Sequence, residues 1–317
     1  MVLGTALHRL LAHPRFSVLE TIGQWMPGEV FPAFFEMEML QRALIASVLV
    51  TVVAGLFGTY LMLRNLSLIG DGLAHVSFGG VAVGVTLGAV APLWYALGFS
   101  IVSSIIIYEL QSREIVAGDT SIAIFLTGML AFGLVILRLY SQGITTDIEG
   151  YLFGSLVLID TSSLNLITWI SFLALLGLAL FHRALLAITV DHVAARMQGI
   201  PVHVVGLWFS ITVAAIVVSM VQVIGALLVT ALLVTPAATA QLVSQSFRGS
   251  LLWTQVFGLT STFLGLFLSA ELNTGSGSMI ALVAALLFAL VGLLKLLSTH
   301  IKPFVSPQNK HVERVDG

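Results

Sequence analysis

Leu66–Gly88 reads LSLIGDGLAHVSFGGVAVGVTLG, an apolar run that nevertheless contains Asp71 and His75. One membrane crossing needs about 20 residues of helix, and this run is long enough. Four residues apart on a helix, the two side chains stand one turn apart on the same face. A carboxylate near the bilayer centre costs roughly 3 kcal/mol on insertion scales, and the run holds no Lys or Arg to neutralise it. A carboxylate and an imidazole form half of a site for a borderline divalent cation. Two plainer readings stand beside this one. Asp71 fits an ordinary helix N-terminal acid favoured by the dipole, and His75 fits a buried histidine bonded to a neighbouring carbonyl. Gly80, Gly84 and Gly88 follow at the small-xxx-small spacing that lets another helix approach closely.

Composition extends this reading to the whole chain. Of 317 residues, 58% are hydrophobic and 9% charged, with a mean hydropathy of +1.06. Soluble domains carry about 25% charged residues, so the expected class is all-α: a polytopic helical membrane protein embedded in a lipid bilayer. A membrane β-barrel would alternate over short segments, whereas these apolar runs are continuous. There is no Cys, which excludes disulfides and thiolate metal sites and leaves oxygen and nitrogen ligands. No GxxxxGK[ST] loop occurs, so ATP is not bound here in that manner.

In chain order, residues 1–38 lack the unbroken apolar core of a signal peptide. They read as an N-terminal extension, with an interfacial helix plausible on Leu3, Leu7, Leu10 and Leu11. The transmembrane domain is expected over 39–298. Apolar spans lie at about 40–63, 66–89, 92–110, 119–140, 164–182, 203–220, 223–244, 251–271 and 278–298. That makes eight to nine transmembrane helices. Residues 299–317, with Pro303 and Pro307, read as a polar, disordered tail. Placing the N-terminus outside puts Arg64, Arg113, Arg183, Arg196, Arg248, Lys295, Lys302, Lys310 and Arg314 inside. It leaves Arg9, Arg15, Arg42 and Arg138 outside. The positive-inside rule favours this orientation, with a cytoplasmic C-terminus.

The most polar internal piece, FHRALLAITVDHVAARMQGIPVH, spans 181–203. Val190, Val193, Ala194 and Met197 share one face of a short helix at about 190–199; Asp191, His192 and Arg196 lie on others. Gly199 supplies a stop and Pro201 prevents continuation. The plain reading is a solvated loop helix, and the functional one is a docking element for a soluble motor. Span seven, VIGALLVTALLVTPAATAQLV, contains Pro236, which removes one helix hydrogen bond and predicts a kink. Glu271 and Asn273 are expected at the outer mouth before a Gly–Ser turn.

Three of these pieces together resemble a known family. Ser67–Gly84, SLIGDGLAHVSFGGVAVG, is similar to the second-helix signature of the ABC importer permeases for zinc, manganese and iron. Val221–Gln241, VQVIGALLVTALLVTPAATAQ, resembles the family's second signature. Val190–Pro201, VDHVAARMQGIP, resembles its ATPase-contacting segment. The resemblance covers roughly 39–298 in the family's order. Where the family often carries an acid and a Pro near the last extracellular turn, this chain has Asn273, Thr274 and Gly275.

The resemblance implies a permease that forms a homodimer in the bacterial plasma membrane. It implies a cytoplasmic ABC ATPase, contacted by Val190, Asp191, Val193, Ala194, Arg196, Met197 and Gly199, and an extracytoplasmic metal-binding protein. It places metal at Asp71 and His75 in the translocation path. The expected function is import of a divalent metal, zinc first and manganese next, with no permanently bound cofactor, no catalysis by this chain and no nucleic-acid partner. Two alternatives remain at this point: a proton-coupled secondary transporter using Asp71 and His75 as a relay, and an intramembrane hydrolase. For the latter, Asp119 is the second acid, or His75 is paired with a serine.

Overall fold

The computed structural model describes residues 3–4, 26–89, 91–116, 118–140, 146–154 and 159–301. The expected interfacial helix falls largely outside the described residues, and so does the polar tail from 302 onward. All regular structure among the described residues is helical. A one-turn α1 (Ala33–Glu36) leads into α2 (Glu38–Leu63), α3 (Ile69–Thr86), α4 (Leu93–Ser112) and α5 (Gly118–Tyr140). A short α6 (Thr146–Phe153) precedes α7 (Thr161–Val190), α8 (His192–Met197) and α9 (Val202–Ile224). A 3-10 turn at Ala226–Leu228 opens a broken pair, α10 (Val229–Leu233) and α11 (Thr235–Val243). The helices α12 (Phe247–Glu271) and α13 (Ser276–Ile301) follow.

Among the described residues, 8 helical stretches are long and apolar enough to cross a membrane: α2, α4, α5, α7, α9, the joined Ala226–Val243, α12 and α13. The helix α3 is not one of them, because Asp71, His75 and its glycines dilute its apolar content. It nevertheless runs between the same two ends as its neighbours. Ile69 shares a cavity with Arg64, Gln111 and His192, whereas Gly84 lies against Pro92 at the opposite end of α4. The described residues therefore traverse the molecule nine times, by these eight stretches and α3. The segment before α2 and the end of α13 lie at opposite faces.

Helix ends follow one local rule. Asn65, Gly88, Glu114, Gly199 and Asn273 all have positive φ. Each sits just past a helix, and at all but Asn273 the last turn is closed by paired bonds, as in Leu66 N–H to Leu61 O and Asn65 N–H to Met62 O. This is the Schellman arrangement, which satisfies carbonyls that the helix leaves open. Four of the five are Gly or Asn, the residues that enter the left-handed region at least cost.

Several spans differ from their expected limits. The helix α7 has 30 residues, about 45 Å at 1.5 Å per residue, against a hydrocarbon core of about 30 Å. The surplus carries Arg183 to Val190 beyond the expected end at 182. The helix α9 continues to Ile224 and stops at Gly225, whose φ is +86°. Part of the expected N-terminal extension belongs to the folded body. Phe31 packs edge-on against Phe267 with ring centroids 5.4 Å apart, and Glu271 accepts hydrogen bonds from Val30 N–H and Phe31 N–H.

Candidate functional site

The helix α3 is the centre of the bundle: 14 of its 18 residues are buried. Its glycines make this possible on two faces. A Cβ at Gly80 would stand 2.7 Å from Ala96 Cα, and one at Gly84 would stand 3.0 Å from Pro92 Cα, so this face meets α4. A Cβ at Gly72 would be 2.6 Å from Ile122 Cγ2, and one at Gly79 3.0 Å from Met129 O, so another face meets α5. Gly70 faces Leu233 on the broken pair. The spacing of Gly80, Gly84 and Gly88 predicts a three-residue packing stripe, and here the structure differs. A Cβ at Gly88 would meet nothing within 4 Å, and the residue has a φ of +67°. It closes the helix by donating to Val85 O, a position that selects glycine for its backbone conformation.

Asp71 occupies the first turn of α3 and His75 the second. His75 Nε2 lies 3.9 Å from Asp71 Oδ1, with the two side chains 8% and 31% exposed. That separation is at the limit of an ion pair and longer than a hydrogen bond, so the two groups face each other without closing on each other. His75 Nδ1 is buried with no hydrogen-bond partner. The plainer reading of His75, a core histidine bonded to a carbonyl, does not account for that nitrogen. Buried polar atoms are normally satisfied, and one that is not calls for a functional explanation. Among the described residues, no group of three or more His, Cys, Asp or Glu comes together. Asp71 and His75 thus stand as a pair, not as part of a larger cluster of such side chains among the described residues.

A half-polar cavity of about 220 Å³ lies at the end where α3 begins, lined by Arg64, Ile69, Tyr108, Gln111, His192 and Ser210 among others. The Arg64 guanidinium stacks over Phe209 at 5.1 Å. Burial pushes its pKa down from the ordinary arginine value, partly opposed by Tyr108. Glu109 joins the end of α4 to the start of α9, with Oε1 3.1 Å from His203 Nε2.

The same end carries α8. Asp191 caps it by accepting from Val193 N–H at 2.8 Å and Ala194 N–H at 3.0 Å. Ile200 N–H to Ala195 O and Gly199 N–H to Arg196 O close the other end. The helix is shorter than the expected 190–199: Val190 is the last residue of α7, because Asp191 turns to an extended backbone. Ala195 is buried, whereas Val190, Val193 and Met197 are 80%, 64% and 85% exposed. Arg196 is exposed and Ala194 half-buried. Ala195 was not legible as the anchor, since Val193 and Met197 form the more apolar stripe.

Pro236 is the second residue of α11 rather than the kink of a continuous helix. The break lies just ahead of it, at Val234, and the Leu233 carbonyl comes so close to Gly58 that no side chain fits there. Asp119 is exposed in the first turn of α5.

Fold and site together define an all-helical, multi-pass membrane protein built around a buried imidazole and a half-buried acid. The profile of the ABC 3 transport family matches residues 36–295, and the chain belongs to that family. It is a metal permease of an ABC transporter, which decides against the proton-coupled carrier and the intramembrane hydrolase. The manganese import system permease protein ScaB of Streptococcus gordonii is 29% identical over 289 residues, covering 91% of this chain and 99% of that protein. The manganese transport system membrane protein MntC of Halalkalibacterium halodurans is 31% identical over 260 residues, covering 82% and 88%. Among solved structures, PsaBC from Streptococcus pneumoniae in complex with Fab superposes with a TM-score of 0.72 at 30% identity, covering 82% of this chain and 93% of that one.

Proposed function

We propose that this chain is the membrane permease of an ATP-driven manganese importer, and that Asp71 and His75 bind the ion in transit. The observation that carries the reading is the pair itself. A buried imidazole with an unpartnered Nδ1 stands 3.9 Å from a partly exposed carboxylate, on the most enclosed helix of the bundle. Two side-chain ligands, with water or backbone completing the shell, suit an ion that must be released again. ScaB is named a permease of manganese import and MntC a membrane protein of manganese transport, and this supports manganese ahead of zinc, reversing the order favoured from the sequence. Carboxylate and imidazole accept both ions.

In this reading the permease works as a homodimer with the N-terminus outside and the C-terminus in the cytoplasm. The exposed face of α8 seats in a cytoplasmic ATPase, and an extracytoplasmic metal-binding protein delivers the ion at the other end. The test is manganese uptake by cells carrying Asp71→Asn or His75→Ala at parental membrane abundance. Uptake should fall by about tenfold or more. Parental uptake by both variants would remove the pair from the path.

A further inference from the structure

At the end opposite α8, a cavity of about 180 Å³ lies between the starts of α4 and α7, α6 and the end of α9. Pro92, Trp94 and Leu166 form apolar walls, and Asp160, Ser162 and Gln222 contribute polar ones. Its volume is many times the roughly 15 Å³ that one water molecule needs. Asp160 caps α7, accepting from Ser163 N–H through Oδ1 at 2.8 Å. Gln222 is only 3% exposed. Its Nε2 donates to Ser163 Oγ at 2.9 Å, and its Oε1 is buried with no hydrogen-bond partner. Such an amide oxygen lacks either a donor or a cation. Its neighbours along α9, Met220, Val221, Val223 and Ile224, are all buried and apolar, and the bond to Ser163 accounts for the amide nitrogen but not for the oxygen.

We propose that this cavity is a second cation site, which receives a hard divalent ion on oxygen atoms of Asp160, Ser162 and Gln222 before the ion reaches Asp71 and His75. The inference rests on the proposed orientation and on manganese as cargo. A carboxylate, a hydroxyl and an amide carbonyl are all oxygen donors, the set that suits manganese, magnesium and calcium. Zinc and copper prefer imidazole and thiolate. A single negative charge keeps the affinity low, as a relay on a transport path requires. The site would thus discriminate by ligand hardness before the ion meets the imidazole of His75.

The test counts manganese bound to the purified full-length permease, by loss of the free-ion electron paramagnetic resonance signal. With Asp71→Asn and His75→Ala combined, about one ion per chain should still bind. In that background, Asp160→Asn and Gln222→Leu should each weaken binding by about tenfold, and Gln222→Glu should strengthen it. Asparagine still caps a helix, so Asp160→Asn separates loss of a ligand from loss of the fold. Excess calcium should displace the manganese, and zinc should do so less well. No ion bound in the combined variant, unchanged affinity in both Asp160→Asn and Gln222→Leu, or stronger displacement by zinc would each overturn the second site. None of these outcomes touches the uptake test of Asp71 and His75, which stands or falls separately.

Discussion

The helices α3 and α13 both traverse the molecule, and they are built on opposite rules. Among the crossings of the described residues α13 has the highest mean hydropathy, yet only 17% of its most apolar stretch is buried inside the protein. Leu282, Leu286, Leu290, Leu293 and Leu297 are each at least half exposed. The helix α3 carries an acid, an imidazole and five glycines, and it is the centre. In water the most apolar helix would be deepest. Lipid tails solvate leucine as well as another helix does, so apolarity gives no drive inward. What selects the centre is close approach, which small residues allow, together with the cost of showing polar groups to hydrocarbon. Between these two helices, large apolar side chains mark the rim, and small and polar ones mark the middle.

The sharpest way to break that comparison is to place one side chain on a glycine of each kind. A Cβ at Gly80 would meet backbone, 2.7 Å from Ala96 Cα and 2.8 Å from Tyr95 O, whereas Gly128 on α5 has nothing within 4 Å. Gly80→Leu forces α3 and α4 apart. It should cost about 3 kcal/mol or more, at the upper end of overpacking effects, with little folded protein recovered. Gly128→Leu should change stability by about 0.5 kcal/mol or less. Thermal unfolding of the two variants in the same detergent measures the difference. Equal changes would mean that close contact with α4 is not what selects glycine at Gly80, since propensity alone would favour leucine at both sites.

The same contrast recurs in miniature on α8, where Ala195 is buried and Met197 is 85% exposed. A charge at Met197 meets solvent and leaves the fold alone. Met197→Asp should insert, fold and bind manganese like the parent, yet lose co-purification with the ATPase and transport-linked ATP hydrolysis. The half-buried Ala194 is the poorer choice, because Ala194→Asp would disturb both the helix and the docking face. Pull-down of the ATPase, together with ATP hydrolysis by the reconstituted complex, decides the matter. Normal values for Met197→Asp would show that the exposed face of α8 is not the contact.

The helical class, the alternation of spans and the stop at Gly199–Pro201 were legible because each depends on residues close in sequence. So was the shared face of Asp71 and His75, four residues apart. The glycines Gly70, Gly72 and Gly79 were not, since their use depends on which helix lies on which face of α3. Gly88 misleads for a related reason: a packing stripe and a helix cap both select glycine, and spacing alone cannot separate them. Glu271 was visible as an acid near a turn. Its partners, Val30 N–H and Phe31 N–H, lie at the other end of the chain. Gln222 passed unnoticed inside an apolar run, and a lone amide there is its only signal.

Pro236 tests the comparison most gently, because sequence and structure assign it different work. In a continuous helix it would free the Leu232 carbonyl and bend the span, and its removal would straighten the path. In the structure it sits in the first turn of α11, where an N–H has no partner within the helix and proline is tolerated. The break is held elsewhere. Gly225 has a φ of +86°, and a side chain there would collide with the backbone of Leu152–Gly154; Gly58 leaves room for the Leu233 carbonyl. Pro236→Ala should therefore keep the break and change stability by less than about 1 kcal/mol, mostly by loosening the unfolded chain. Gly225→Ala should cost clearly more, since it meets both strain and contact. Unfolding and manganese uptake of the two variants give the answer. If Pro236→Ala abolished uptake at unchanged stability, the proline itself would shape the path, and the break would be its work rather than that of the glycines around it.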